Sequence, residues 1–321
     1  MTESLRALLA GAIDYAGMFP PAALSLEQAL AKYRQHRGGP ERWLLGRFVC
    51  PADLCVLAAM SFSKDDGCLA AIVPAAEDDG MFPTAIQGAL AAIRDFPINR
   101  VIDSVEFRWP RALVASADSG RLETTMKMAA HEAAKTKAAP LTMFFECPAE
   151  NVHLNSDRLE LVSAGVRALA EYNKFASPEY SSVGFKLRCG GAGALAIPSS
   201  EEIALVVVTC RDQGVFWKAT AGLHHPFRHV DPALGVPMHG FVNMLTAAVM
   251  DDVHRLELAQ VQAILEDDDP WHFRFTNEAL TWHDLPATVP QITVARDRAL
   301  RSFGSCSIDE PWQDLTVLGL I

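Results

Sequence analysis

The sequence predicts an α/β chain folded as a (β/α)8 TIM-like barrel with an N-terminal extension. Three observations predict it. Short apolar runs rich in β-branched and aromatic residues alternate with longer runs of helical spacing, the pattern of a parallel sheet with helices outside it. About eight such units fit in about 280 residues, the size of a closed eight-stranded barrel. Charged residues stand at the C-terminal ends of several strand runs, the end where barrels carry their sites. No glycine-rich dinucleotide fingerprint follows the first strand, which weighs against an open doubly wound sheet.

The strand runs are taken in order. Leu44–Cys50 is the first, Cys68–Pro74 the second and Val101–Arg108 the third. Leu141–Glu146, Val183–Arg188 and Val215–Thr220 are the fourth, fifth and sixth. A seventh is expected within His272–Trp282, as a small hairpin around Asn277, and an eighth at Ser302–Ser307. Helices are expected over Ala85–Arg94, Leu122–Ala134 and Asn155–Tyr172, the last with Leu159, Val162, Val166 and Leu169 on one face. Pro198-Ser-Ser-Glu-Glu202 reads as a helix start, with acidic residues complementing the helix dipole. Gly240–Ala263 reads as one long helix or two, ended by the acidic knot Glu266–Pro270. The whole chain, 1–321, reads as one domain. Residues 1–42 form an extension and helix, and 43–321 form the barrel. Within the extension, the Pro/Gly-rich block Gly11–Ala23 reads as a loop packed across one mouth.

The net charge of −11 argues against a nucleic-acid binder, because phosphate backbones attract basic surfaces. A local group of arginines and lysines can still oppose that global sign. The seven cysteines are scattered and odd in number, without a C-x-x-C pair. Free thiols in a reducing cytoplasm are the expectation. No signal peptide is evident at the N-terminus, and no apolar run is long enough to span a bilayer. Many barrels pair, so the chain is a candidate homo-oligomer.

Side chains alternate faces along a strand. Glu106 and Arg108 therefore share a face, as do Lys186 and Arg188, and Lys218 and Thr220, while Glu146 closes the fourth run. Two carboxylates, two lysines and two arginines at neighbouring strand ends point to a site for a small anionic substrate. A lysine beside another cation loses proton affinity and becomes nucleophilic near neutral pH. Lys218 is the candidate nucleophile for a Schiff base with a carbonyl compound. Glu106 and Glu146 are candidate proton shuttles, and His224 and His225 candidate acid–base groups beside Lys218. Arg108, Lys186, Arg188, Thr220 and Arg228 are the candidate substrate-binding residues.

The run Lys218-Ala-Thr-Ala-Gly222 after an apolar strand resembles the K-x-T-x-G strand of deoxyribose-phosphate aldolases and related Schiff-base barrel aldolases. The resemblance implies a class I lyase or aldolase that needs no cofactor, with the imine on Lys218. Val105-Glu-Phe-Arg108 is similar to strands of other Schiff-base barrel lyases, such as type I dehydroquinate dehydratases. Two features depart from the aldolase pattern. The second lysine, Lys186, stands on the strand before the imine lysine rather than after it, and a histidine-rich loop follows Gly222.

That loop supports the alternative. His224, His225, His229 and His239 are four of the ten histidines and fall close together. Imidazoles bind zinc and similar divalent metals, often with a carboxylate completing the set. A metal at the barrel mouth would serve a lyase, isomerase or hydrolase. Ser302–Asp309 is small-residue rich, and its backbone is a candidate anion cradle.

Overall fold

The first strand of the barrel lies where the sequence suggests a loop. The computed structural model describes residues 1–63, 66–76, 78–94, 101–116, 118–135, 141–147, 156–175, 182–191, 193 and 196–321. After α1 (Glu3–Leu9), the three residues Ile13–Tyr15 form β1. β1 pairs in parallel with β2 (Leu45–Pro51) on one side and with β13 (Leu300–Ser305) on the other. Three residues are too few to show a period of two, and all three are buried. The boundary at residue 42 is therefore not a structural one. α2 (Leu26–Gly38), held at its start by a capping box between Ser25 and Gln28, is the helix that follows the first barrel strand.

The other strands are β3 (Leu69–Ile72), β4 (Ile102–Arg108), β5 (Thr142–Cys147), β6 (Ser182–Arg188) and β7 (Trp217–Thr220). They join β1, β2 and β13 in one closed parallel barrel in chain order, with β7 next to β13. Its helices include α3 (Cys55–Ser61), α4 (Phe82–Arg94), α5 (Arg111–Ser116), α6 (Ser119–Lys135), α7 (Ser156–Phe175) and α8 (Ser200–Gln213). The (β/α)8 class read from the sequence is the fold of the protein.

After β7 the chain makes the two-residue strands β8 (His229–Val230) and β9 (Pro237–Met238), which pair with each other. The Gly240–Ala263 segment is two helices, α9 (Phe241–His254) and α10 (Leu258–Glu266). The break falls at Arg255, whose φ of 52° stops the first helix. The expected hairpin around Asn277 exists as β10 (Phe273–Phe275) and β11 (Ala279–Trp282). It is not a barrel strand: both pair antiparallel, with β12 (Leu285–Thr288), in a separate three-stranded sheet. α11 (Val289–Arg298) leads into β13, and α12 (Asp309–Val317) ends the chain.

The alternation of faces is visible in the packing. Phe107 and Phe145 stack on each other outside the barrel at 5.4 Å, and Phe145 meets Phe82 of α4 edge-on. Their strand neighbours Glu106, Glu146 and Lys186 point inward instead. Among the described residues, no helix is long and apolar enough to cross a membrane.

Candidate active site at the barrel mouth

An inward-facing charged residue on a barrel strand is costly unless a partner meets it. Here the partners come from adjacent strands. The register places Glu146 beside Arg108 and Lys186, and Lys186 beside Lys218. The Lys186 ammonium donates to Glu106 Oε2 and Glu146 Oε2, both at 2.6 Å. Lys218 donates to Glu106 Oε1 at 2.6 Å and Asp14 Oδ2 at 2.5 Å. Ser302 Oγ donates to the same Asp14 oxygen at 2.7 Å, and the Arg47 backbone N–H donates to the other at 2.9 Å. At the far end, Arg108 and Arg188 both donate to Glu146 Oε1, at 3.0 and 2.9 Å.

The result is a row of alternating charge: Asp14, Lys218, Glu106, Lys186, Glu146, then two guanidiniums. Its five inner members are 3 % exposed or less. The two arginines are 24 % and 25 % exposed. Among the described residues, the row holds three carboxylates and four cations.

The row floors a cavity of about 810 Å³ at the C-terminal strand ends. Phe19, Pro20 and Pro21 wall one side, so part of the Gly11–Ala23 block does cover the mouth as expected. Leu234 and Met238 wall another. Thr220 lines the cavity, and Gly304 makes room for it: a Cβ on that glycine would stand 2.9 Å from Thr220 Oγ1. The turns after β6 and β7 pack backbone to backbone, since a Cβ on Gly190 would lie 2.7 Å from Gly222 Cα.

Protonation follows from the interleaving. Burial pushes each carboxyl up, but the neighbouring cations together outweigh it, the lysines being joined by Arg47 at Asp14 and by Arg188 and Arg108 at Glu146, and hold all three below the usual carboxylate range. Burial pushes Lys218 down, yet Asp14 and Glu106 outweigh burial and raise it. The expectation that the second lysine depresses Lys218 is thus overturned. Glu106 stands between the two lysines and gives one oxygen to each.

The structure gathers Lys218, Glu106, Glu146, Lys186, Arg108, Arg188 and Thr220. It disperses the others. His224 lines the cavity but its Nδ1 pairs with Glu310 at 2.9 Å, and His225 Nδ1 pairs with Asp314 at 2.6 Å, both on α12. His229 Nδ1 meets the Phe227 carbonyl, and buried His239 donates from Nε2 to the Pro198 carbonyl. These four histidines do not converge as a metal set. Among the described residues, the one gathering of three His, Cys, Asp or Glu ligand atoms lies elsewhere. Arg228 turns away to Ser200 Oγ and lines a different pocket with His239, not this cavity. Ser302 Oγ serves Asp14, while Gly304, Ser305 and Cys306 of the same run line the cavity. Burial pushes the Cys306 thiol up, away from the thiolate form. Asp14 itself escapes the strand-end reading. Its signal is a lone charge in the apolar run Ala12-Ile-Asp-Tyr15.

His239 yields a stability prediction. Burial pushes its imidazole down to about 4, and its Nδ1 has no partner among the described residues. Between that value and the unfolded value of about 6.5, only the unfolded chain takes up the proton. The neutral imidazole therefore contributes stability above pH ~6.5 that is lost as pH falls toward 4, up to about 3 kcal/mol. Urea unfolding of His239→Gln at pH 5 and 7.5 is expected to show a shallower acid loss than the parent. Equal losses would refute the assignment.

No protein family model matches the chain, and no curated protein matches it in sequence.

Proposed function

We propose that the chain is an enzyme, a carbon–carbon or carbon–oxygen lyase or aldolase, that acts on a small anionic carbonyl compound through a Schiff base on Lys218. The observation that carries this reading is the position of Lys218 at the floor of the cavity, between two carboxylates, with two partly exposed guanidiniums at its rim. The guanidiniums suit a carboxylate or phosphate, which they bind in bidentate fashion. The scattered cysteines fit a cytoplasmic setting, and the acidic surface fits a partner that is a small molecule rather than a nucleic acid. The chemistry needs no cofactor.

A raised lysine is compatible with imine catalysis for a definite reason. The protonated imine carries the same single positive charge as the ammonium it replaces. Asp14 and Glu106, which hold the ammonium, still face that charge, and the single N–H of the iminium donates to one of them. The requirement falls on the step before. The ammonium passes its proton to Glu106, the free amine attacks the carbonyl carbon, the nitrogen of the adduct gives one proton to the new oxygen, and the carbinolamine hydroxyl leaves as water with the proton held by Glu106. The iminium then draws electrons from the neighbouring carbon and weakens a bond there. Glu146, linked through Lys186, is a relay for the proton that this releases or consumes.

The test is reductive trapping with cyanoborohydride against a panel of 2-oxo acids and phosphorylated aldehydes. Peptide mass spectrometry is expected to find the adduct on Lys218. A panel with no adduct, or an adduct on another lysine, refutes the reading. The raised Lys218 favours a second reading, in which the ammonium acts without covalent bonding as the acid that protonates a substrate oxygen. That reading expects turnover without trapping.

A further inference from the structure

The gathering of ligand atoms mentioned above lies outside the cavity, where α10 ends. Asp267 caps that helix, and the chain leaves it for the β10–β11 hairpin. His272 precedes β10 and His283 follows β11. The ladder pairs Phe273 with Trp282, and the His283 N–H continues it to the His272 carbonyl at 3.1 Å. His272 and His283 are therefore the next opposed pair, and opposed residues project on one face. Their rings lie 4.1 Å apart, centroid to centroid. The carboxylate of Asp267 meets both: its oxygens lie 3.0 Å from His272 Nδ1, and Oδ2 lies 3.5 Å from His283 Nε2.

We propose that Asp267, His272 and His283 form a binding site for one zinc or similar divalent ion. One ligand atom from each lies within 4.8 Å of the others. A tetrahedral zinc with bonds of about 2.0–2.1 Å spaces its ligand atoms by roughly 3.3–3.4 Å. The two Asp267 contacts, 3.0 and 3.5 Å, bracket that spacing. Two nitrogens and one oxygen are a donor set that suits zinc rather than calcium or magnesium, which take oxygen.

The surroundings are those that orient metal ligands. When His272 ligates through Nδ1, its Nε2–H faces Asp269, whose Oδ2 is 3.6 Å away. A carboxylate behind a ligating histidine fixes its tautomer and raises its basicity. The Trp282 indole N–H donates to Asp267 Oδ2 at 2.8 Å and sets that carboxylate's orientation. The backbone also bends to aim His283, whose φ of 47° lies in the left-handed region. Few non-glycine residues adopt it, and histidine is among those that do more often. Asp267 is nearly buried while the histidines are about half exposed, so water can complete the coordination from the solvent side. The ion would clasp the end of α10 to the hairpin and close the intervening loop.

The experiment uses untagged full-length protein at pH 7.5 with cobalt and zinc chlorides. Cobalt is expected to give the visible absorption of a tetrahedral site at one ion per chain, displaced by one zinc. At a hundredfold excess over Kd, zinc is expected to raise Tm by about 5 °C. His272→Ala and His283→Asn are expected to abolish both signals. Asparagine tolerates the left-handed backbone, so the second variant keeps the turn while removing the ligand. Asp269→Ala is expected to weaken zinc by about 10-fold or more. No stoichiometric ion in the parent, or one retained by folded His283→Asn, overturns the proposal.

Discussion

Glu106→Ala is expected to destabilise the barrel by about 3–5 kcal/mol, the range for breaking a buried ion pair by removing one partner. Glu106 is the centre of the charge row, and each of its oxygens takes one lysine. Its loss leaves two ammoniums, 1 % and 2 % exposed, with one carboxylate apiece. Glu146→Ala is expected to cost less. Two of the three cations it holds are rim arginines that can turn to solvent, so only Lys186 is left poorly paired in the interior. Combining Glu106→Leu with Lys186→Met is expected to recover most of the loss, because apolar residues of similar volume replace a buried ion pair at little cost. Lys218 keeps Asp14, and Glu146 keeps its two arginines, in that double variant. Urea unfolding at pH 7.5 measures all three. A Glu106→Ala variant within about 1 kcal/mol of the parent would mean the row is solvated rather than interlocked.

The pH dependence of the row has a definite sign. Asp14, Glu106 and Glu146 are held below the usual carboxylate range. Their contribution is therefore complete above the unfolded carboxylate values of about 4 and is lost as pH falls below them. Acid unfolding from this source lies below the window in which His239 acts.

The faces of the strands were legible because a period of two survives in runs of six or seven residues. Glu106 with Arg108 and Lys186 with Arg188 were placed on shared inner faces by that alone. The neighbour relation of their strands followed from the barrel. What escaped was Asp14, because Ile13–Tyr15 is too short for any period and sits before a Pro-rich turn that reads as loop. The protonation of Lys218 escaped for a related reason. Two lysines on adjacent strands suggest mutual repulsion, but the sign depends on what stands between them, and Glu106 reaches there from β4, two places from the strand of Lys186 and three from that of Lys218. The histidine loop misled because loop residues have no periodicity to aim their side chains. His224 and His225 are adjacent in sequence, yet each pairs with its own acid on α12, some 86 and 89 residues along the chain.

Lys218→Arg is the variant that separates chemistry from packing. Arginine keeps the positive charge between Asp14 and Glu106, so stability is expected to fall by no more than about 1–3 kcal/mol, from the added bulk. A guanidinium is protonated at every accessible pH and forms no imine. Under the Schiff-base reading, trapping disappears completely, and turnover of whichever carbonyl compound traps on the parent falls to background. Under the acid–base reading, the parent never traps and the variant loses about 10²–10⁴-fold, because a guanidinium cannot give up its proton. Lys186→Arg supplies the comparison. Lys186 holds the same kind of seat between Glu106 and Glu146, one strand away. If Lys218 is the nucleophile and Lys186 a relay, Lys186→Arg still traps on Lys218 while turnover falls. If the roles are exchanged, Lys218→Arg keeps its adduct and Lys186→Arg loses it, and the assignment of the nucleophile to β7 is then wrong. Mass spectrometry of the two reduced variants decides between these outcomes before any natural substrate is known.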